Sequence, residues 1–478
     1  MTSYLHGVET IRQEAASSVK DATTSIIVAV VSVPTFLLDE EYQTLNTPIP
    51  ISNYSHITKY AGKNVEGYTG YDTLYTIMTE SEGALIYMIN VFDKDTHVST
   101  KSSETVYLTA GAYAIEELNV TDLTVTTSDG TECTLDTDYT FEDNVITVTS
   151  GGALADAESI IISYTYADPA QLSASDFIGE IDEDNVKSGL QAIYDIQSTY
   201  GDEVSLIVCP VYSALKSVRT AMETIETKLK AQSYYDSPAG TSINAAISGR
   251  TTAGDDVDLT SSSENGMIVY PWLYRYNSVT DADELRPASP AAVGMRVRVD
   301  RDRNVAKSIS NTKSYTTTGV EVPIGFNLSD STSDSNLLNA KGITTFINYK
   351  GSYYIWGTRN AVYPTESGIE TFECVQRTAS FIERSIQNSS FSPVADTITQ
   401  GFIDDVLNMI EGFFNKLKKP SNQVIIDGSV SYNKENNTSE DLAEGHITFD
   451  YEFCPPPPAE RITYYSQINI DLLDSLGS

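Results

Sequence analysis

The run IIVAVVSV at residues 26–33 constrains the fold more than any other segment of the chain. It is apolar and largely β-branched on both of the faces that a strand would present. A half-exposed strand would alternate polar and apolar residues, so this run predicts a strand that is buried on both faces. Such a strand lies in the middle of a sheet, with other elements covering it on either side.

The sequence pattern after residue 167 is typical of an α/β domain. Apolar residues at helical spacing predict a helix that ends at Gly201: Val186, Leu190, Ile193 and Tyr194. Residues 204–211 and 267–273 predict two apolar strands. Between them, Ser213 is expected to cap a helix with the stripe Leu215, Val218, Met222, Ile225 and Leu229. Strand, helix and strand in succession predict a largely parallel sheet, and no glycine fingerprint for a dinucleotide follows either strand.

Length and charge narrow the functional class. The 478 residues suggest two to four domains on a prior of roughly 150 residues each. Thirty Lys and Arg against 66 Asp and Glu give a net charge of −36, which repels phosphate backbones. We therefore expect no direct binding of nucleic acid.

The cysteines and the N-terminus indicate folding in the cytoplasm. Four cysteines, Cys133, Cys209, Cys374 and Cys454, lie far apart and do not form a disulfide framework. The first residues, MTSYLHGVET, lack the basic and apolar regions of a secretory signal. The longest apolar stretch, 26–38, is too short to span a bilayer, so no membrane insertion is expected.

Residues 96–167 differ in composition from the rest of the chain. They contain one lysine against twelve acidic residues and are rich in Thr, Val and Tyr. Short alternating runs are separated by turn signals at Asp129-Gly130 and Gly151-Gly152. This pattern predicts a small β-sandwich inserted into a host domain.

The C-terminal part changes character again. Residues 343–347 and 353–356 predict a hairpin around Lys350-Gly351. One helix should bury Val375, Ala379, Ile382 and Ile386. A second, at about 396–419, should bury Ile398, Phe402, Val406, Ile410, Phe413 and Leu417, and it ends in Lys416, Lys418 and Lys419. Strands are predicted at 423–426 and 447–453, and four prolines at 455–458 precede a final segment without a local partner.

The chain carries no recognisable catalytic set, and no metal or cofactor is expected. Ser213 and Lys216 match the SxxK pattern of acyl-transfer enzymes, but capping a helix is sufficient to explain Ser213. Asp300, Asp302 and Asn304 resemble the start of a calcium loop without its glycine, so an exposed ion-pair strand is the preferred interpretation. The basic segment 286–307 is interpreted as a solvated loop rather than an interface. The three lysines either complement a helix dipole or bind a partner.

Five segments in order along the chain resemble one family, the tail sheath proteins of contractile phages, R-type bacteriocins and related injection systems. They are YLHGVET (4–10), LNTPIPISNYSHITKYAG (45–62), SPAAVGMRVRVDRDRNVAKSISN (289–311), GITTFINYKGSYYIWGTRNA (342–361) and the segment 426–465 that ends in PPAERITYY. The fourth is the most specific. The region 96–167 lies outside the shared segments.

The resemblance implies a multidomain α+β or α/β sheath fold. Its parts would be an N-terminal arm (1–20), a discontinuous outer α/β domain (21–95 and 168–341), the inserted β-sandwich (96–167), an inner tube-facing domain (342–458) and a C-terminal arm (459–478). In such sheaths the arms add strands to neighbouring subunits. The candidate strand residues here are Tyr4, Leu5, Val8, Ile462, Tyr464, Ile468 and Ile470.

The same resemblance implies a mechanical function. The subunit would polymerise helically around an inner tube, with baseplate and terminator proteins at the ends, and contract to drive the tube through a cell envelope. Hinges are expected near Gly7 and near residues 455–458, and Lys416, Lys418 and Lys419 are the candidate tube contacts. Assembly would take place in the bacterial host cytoplasm, before the sheath becomes part of a phage or other released particle.

Two alternatives remain at this stage. The acidic β-rich insert would suit a self-assembling surface-layer or adhesin-like protein, but the missing signal peptide weighs against that class. An α/β enzyme with a β-sandwich appendage is the other alternative, and the empty search for catalytic residues disfavours it.

Overall fold

The computed structural model describes residues 18–251, 257–278 and 280–476. Numbered along the chain, its strands are β1 (Ile26–Val31), β2 (Ile49–Ile51), β3 (Leu85–Asn90), β4 (Val98–Tyr107), β5 (Ala112–Ala114), β6 (Thr121–Thr126), β7 (Tyr139–Glu142), β8 (Val145–Val148), β9 (Ser159–Ala167), β10 (Leu206–Val208), β11 (Gln232–Asp236), β12 (Gly266–Tyr270), β13 (Leu273–Asn277), β14 (Ala282–Arg286), β15 (Thr312–Lys313), β16 (Thr317–Val320), β17 (Ile343–Tyr349), β18 (Ser352–Trp356), β19 (Asp427–Ser431) and β20 (Asp450–Cys454). Its α-helices are α1 (Tyr54–Ala61), α2 (Gly70–Ser81), α3 (Ala174–Ile178), α4 (Asp195–Tyr200), α5 (Lys216–Leu229), α6 (Ile243–Gly249), α7 (Ser289–Asp302), α8 (Asp334–Asn339), α9 (Glu373–Ser389), α10 (Gln400–Leu417) and α11 (Ser439–Ala443).

The central sheet of the described chain has nine strands in the order β15–β18–β17–β12–β11–β10–β1–β3–β2. The six from β17 to β3 run parallel to one another, whereas β15, β18 and β2 pair antiparallel at the two edges. All six residues of β1 are buried, and successive residues belong to hydrophobic clusters on opposite faces of the sheet. The doubly buried strand predicted from residues 26–33 is therefore confirmed.

Helices cover both faces of this sheet. On one face, α5 packs through Val218, Met222 and Ile225. On the other face lie α1, α2 and α7, and a Cβ at Gly294 of α7 would meet the Cβ of Glu80 in α2 at 2.6 Å. Only glycine permits so close an approach of these two helices. The mixed α/β class expected from the sequence is confirmed, and no helix in the described ranges is both long and apolar enough to cross a membrane.

Three details of the predicted α/β region are wrong. Val186 is exposed, and the predicted helix consists of a 3₁₀ turn at Gly189–Tyr194 followed by α4, which ends at Gly201 as expected. Ser213 does not cap α5, because that helix starts at Lys216 after a separate 3₁₀ turn. Leu215 precedes the helix and is exposed, so the buried stripe begins at Val218.

The predicted start of a C-terminal domain at residue 342 is too early. Residues 343–356 form the expected hairpin, with β17 and β18 joined through Lys350-Gly351. However, β17 also pairs parallel with β12, so the hairpin completes the central sheet. The C-terminal unit therefore begins after β18, and not before the hairpin.

Residues 98–167 form two three-stranded antiparallel sheets, β4–β9–β6 and β5–β8–β7. Both sheets contribute side chains to one hydrophobic cluster, which includes Val125, Ile146 and Ile162 and is separate from the clusters of the central sheet. The first and last residues of this segment, Val98 and Ala167, are paired across β4 and β9. The segment therefore leaves and re-enters the central domain at one place.

Candidate functional site: the C-terminal surface and arm

The C-terminal unit is built on two amphipathic helices. In α9, Ile382 and Ile386 face the same core as Val406, Ile410, Phe413 and Leu417 of α10, as their spacing predicts. The core also takes in Val19 from the N-terminal side and Val305 from the segment after α7. The helix predicted at about 396–419 is shorter than expected, since it starts at Gln400 after the Thr399 side chain caps it.

The strands β19 and β20 form a two-stranded antiparallel sheet on α10, beginning a few residues later than predicted. Phe453 and Tyr451 lie 6.4 and 6.3 Å from the ring of Phe414, so this face of the sheet is apolar and packs on the helix. Ser429 and Glu452 lie on the exposed polar face. Within the described chain each strand pairs only with the other, so each has one edge with unpaired backbone groups.

An apolar groove of about 800 Å³ runs beside β20. Its floor is the N-terminal half of α10, with Phe402, Val406 and Ile410, and its wall includes Phe449 and Tyr451. No residue of β19 lines it, so the groove lies on the β20 side of the small sheet.

The C-terminal arm is anchored at Glu460 and exposed beyond it. The carboxylate of Glu460 accepts hydrogen bonds from Arg359 at 2.6 and 3.1 Å and from the Thr358 hydroxyl at 2.7 Å. Although burial opposes the charge, Arg359 and Thr358 lower the pKa of Glu460. Arg359 itself stacks on Phe372. Two segments quoted for the family resemblance, the WGTR and PPAE sequences, therefore meet at this ion pair.

From residue 461 to residue 476, the last that the structure describes, the chain forms no strand, and its large apolar side chains are exposed. Five even-numbered residues are apolar and exposed, namely Ile462, Tyr464, Ile468, Ile470 and Leu472, whereas Ser466 interrupts the alternation and the odd-numbered Tyr465 and Leu473 are exposed as well. The intervening residues include Thr463, Gln467 and Asn469. Period-two alternation is typical of a strand with one buried face, yet within the described residues the arm has no sheet to join. The other predicted strand residues, Tyr4, Leu5 and Val8, lie outside the described residues.

The three candidate lysines lie at the C-terminal end of α10. Lys416 binds Asp21 at 2.7 Å, and both side chains are about half exposed. Lys418 binds Asp427 at 3.0 Å and lowers the pKa of that carboxyl group. Lys419 is exposed and has no ion-pair partner among the described residues. The structure thus brings the three lysines together and leaves one of them unpaired.

The interpretation of 286–307 as a solvated loop is wrong. Residues 289–302 form α7, in which Arg296 and Arg298 are buried. Asp300 does not belong to an exposed strand either, because it accepts a hydrogen bond from Arg296 at 2.7 Å inside the protein. Near the end of the segment, residues 301–303 and Lys307 are exposed, and residues 304–306 between them are buried.

Sequence reasoning missed a buried ion-pair network between α7 and α9. Arg296 binds Glu373 at 2.9 Å as well as Asp300, and Arg377 binds Asp300 in turn. Burial opposes the charge of Arg296, but the carboxylates of Asp300 and Glu373 raise its pKa above the usual value. Arginine and carboxylate stand four residues apart on each helix, a spacing that could have indicated paired faces.

The SxxK pattern does not form a catalytic pair. Ser213 is buried and accepts a hydrogen bond from the backbone of Asp236 at 3.0 Å, whereas Lys216 donates to the carbonyl of Thr260 at 2.6 Å. The two side chains therefore serve different local contacts. Among the described residues, no three His, Cys, Asp or Glu side chains are placed to hold a metal ion.

The comparisons with known proteins agree with the limits of the central sheet. The family model described as phage tail sheath protein central domain matches residues 179–361, a range that ends just after β18. The tail sheath protein of Burkholderia phage BcepMu is 31% identical over 481 residues, covering 99% of this chain and 98% of the relative. The chain belongs to the tail sheath protein family. This membership disfavours the surface-layer alternative.

Other sheath proteins share parts of the sequence or the whole fold. The tail sheath protein of Escherichia phage P2 is 27% identical over 304 residues, or 64% of this chain and 73% of the relative. The contracted PVC sheath of an extracellular contractile injection system is similar in fold, with a TM-score of 0.60, 15% identity and 99% of both chains covered. The contracted sheath of the anti-feeding prophage gives a TM-score of 0.59 at 15% identity, over 98% of this chain and 100% of the other. This sheath protein is a structural subunit of a contractile tail.

Proposed function

We propose that the sheath protein polymerises helically around an inner tube by exchanging its terminal arms between subunits. The observation that carries the proposal is the C-terminal arm, which leaves an anchored root at Glu460 and presents exposed apolar side chains at five of the six even-numbered positions from 462 to 472. Such a segment gains little by folding alone, but backbone pairing with a second copy would bury its apolar face.

The edge of β20 is the acceptor that fits the arm. An added strand would satisfy the unpaired backbone groups at that edge, while Ile462, Tyr464 and Ile468 would enter the groove beside α10. The acceptor belongs to a neighbouring subunit in the lattice. Head-to-tail contacts of this kind build open helices when they do not close into rings. The N-terminal arm, with Tyr4, Leu5 and Val8, supplies the second strand connection.

The domains take the following roles in the polymer. The central α/β domain and the segment 96–167, an inserted β-sandwich, face outward, and the C-terminal unit faces the tube. Contraction is the passage from an extended lattice to one that buries more surface between subunits, and the exchanged strands keep neighbours tied during it. The arms bend near Gly7 and at 455–458, with the latter root fixed by Glu460.

The proposal also assigns partners to the two ends of the sheath and a compartment for its assembly. Baseplate and terminator proteins cap the two ends of the sheath. Subunits assemble in the bacterial host cytoplasm and leave it as part of the particle, whose tube is then driven through the envelope of a target cell. The net charge of −36 keeps unassembled subunits soluble.

The lysines at the end of α10 contact the tube in the extended state. Lys419 is free to reach outward. Lys416 pairs with the exposed carboxylate of Asp21, and Lys418 pairs with that of Asp427. Exposed pairs contribute only about 0–1 kcal/mol each, so the contact holds through many identical subunits and breaks when the sheath contracts. Reversing all three lysines to glutamate should preserve folding and yield empty or prematurely contracted sheaths.

Strand exchange is tested by placing the same substitution on the two faces of the arm. Ile462→Asn with Ile468→Asn disrupts the apolar face, whereas Thr463→Asn with Gln467→Asn changes the polar face as a control. Electron microscopy of purified protein should show striated tubes for the control and for the unaltered protein but not for the apolar-face variant. Circular dichroism checks that all three proteins are folded. Equal tube formation by both variants would exclude this arm as the connecting strand.

A further inference from the structure

The two basic segments of the sequence meet in the structure. Asn304, just after α7, donates a hydrogen bond to the side chain of Asn422 at 2.7 Å, and Asn422 follows the lysines at the end of α10. The two residues after Asn304 are buried in the core that α9 and α10 share. Arg303 and Lys307 flank this buried segment and are both exposed. The central domain thus contributes cations beside the lysines of the C-terminal unit.

These side chains form a basic surface on an acidic protein. The basic surface consists of Arg303, Lys307, Lys416, Lys418 and Lys419. Two carboxylates, Asp21 and Asp427, pair with it, and they neutralise only Lys416 and Lys418. Arg303, Lys307 and Lys419 have no ion-pair partner within the described part of the chain. Because the whole chain carries 66 acidic residues, three free cations at one place are a departure from its general surface.

Helix dipoles do not account for the whole surface. α7 ends at Asp302 and α10 at Leu417, and a dipole favours cations mainly within the last turn. In α7 that position is taken by Arg301, which pairs with Glu82 and Asp302. Lys307 lies five residues beyond the end of α7 in a separate segment.

We propose that Arg303 and Lys307 belong to the tube-contact surface, so that the acidic partner surface is bound by both domains of the sheath protein. The inference rests on the proposed tube contact of the α10 lysines and extends it to a second segment of the chain. Opposite charge identifies the partner as acidic, and the tube is the partner to which the α10 lysines are assigned. The buried segment between the two cations fixes their position relative to α10.

The test compares three charge-reversal variants in assembled particles and in purified subunits. Arg303→Glu with Lys307→Glu tests this inference, the triple reversal of Lys416, Lys418 and Lys419 tests the proposed function, and Lys63→Glu with Lys350→Glu is a control at exposed lysines elsewhere. The readouts are the fraction of extended, tube-filled sheaths in particles and the yield of tube-free polymers from subunit alone. We expect the first variant to lower the filled fraction by about tenfold, the factor that ~1.4 kcal/mol of lost contact energy gives. Its tube-free polymers should be normal.

Every other outcome would overturn either the tube contact of the α10 lysines or its extension to Arg303 and Lys307. A normal filled fraction for the Arg303 and Lys307 variant, with a defective lysine triple, would overturn the inference and leave the α10 contact standing. A defective first variant with a normal lysine triple would overturn the α10 assignment, and with it the inference that both domains bind one surface. Loss of tube-free polymers in the first variant alone would show that the partner is a second copy, which also overturns the inference.

Discussion

Removing one charge from the network between α7 and α9 should destabilise the subunit far more than removing one from its surface. The network contains two arginines and two carboxylates, Arg296, Arg377, Glu373 and Asp300, so its charges balance. Glu373 is 1% exposed and also accepts a hydrogen bond from Gln232 at 3.1 Å. In Glu373→Gln the site keeps two cations and one anion away from water. Breaking a buried pair in this way costs about 3–5 kcal/mol.

The same helix provides the matched control. Glu383 pairs with Lys230, but the two side chains are 36% and 38% exposed. Glu383→Gln repeats the chemical change on α9 with nearly the same helix propensity, and an exposed pair of this kind contributes about 0–1 kcal/mol. The free energy of unfolding of each monomeric full-length variant would be measured by urea titration with circular dichroism.

A compensating variant separates charge balance from packing. Arg296→Gln combined with Glu373→Gln removes one cation and one anion, leaving Arg377 and Asp300 as a balanced pair. We expect this double variant to recover part of the stability that Glu373→Gln loses. A loss for Glu373→Gln no larger than that for Glu383→Gln would refute the reasoning, because it would mean that water reaches the network and screens its charges.

Three further predictions concern the titration of a buried acid, the arm root and the insert. Tyr235 and Ser263 donate to Glu226, whose pKa burial raises to about 7, so the folded state holds this proton more tightly than the unfolded state. Its contribution to stability should therefore fall as the pH rises from about 4.5 to 7, and a stability difference between Glu226→Gln and the unaltered protein that does not change with pH would contradict this. Glu460→Gln should leave the fold intact yet speed tryptic cleavage after Arg461, and an unchanged rate would mean that Arg359 does not hold the root. Replacing 96–167 by a short Gly/Ser bridge should preserve polymerisation, since its ends are paired neighbours, and an insoluble product would place the segment in the core.

The elements that the sequence predicted correctly are short segments in which either one face or both faces are buried. The run at 26–33 predicted β1 because no polar residue occurs on either face from 26 to 31, and the apolar stripe of α10 predicted which side of that helix is buried. The hairpin at 343–356 was equally clear from its turn residues. The candidate lysines could also be placed at one helix end without coordinates. In each case the deciding interactions lie within about twenty residues of sequence.

The features that only the tertiary structure decided depend on partners far along the chain. α7 was interpreted as a solvated segment because three arginines stand within it, and burial of Arg296 requires Glu373, which lies 77 residues away. The hairpin was placed in the wrong domain because β12, its parallel partner, comes 70 residues or more earlier. The basic surface likewise joins residues more than 100 positions apart through Asn304 and Asn422. A charged side chain or a strand edge pairs with whichever residues the fold brings close to it. Local sequence patterns therefore cannot predict those partners.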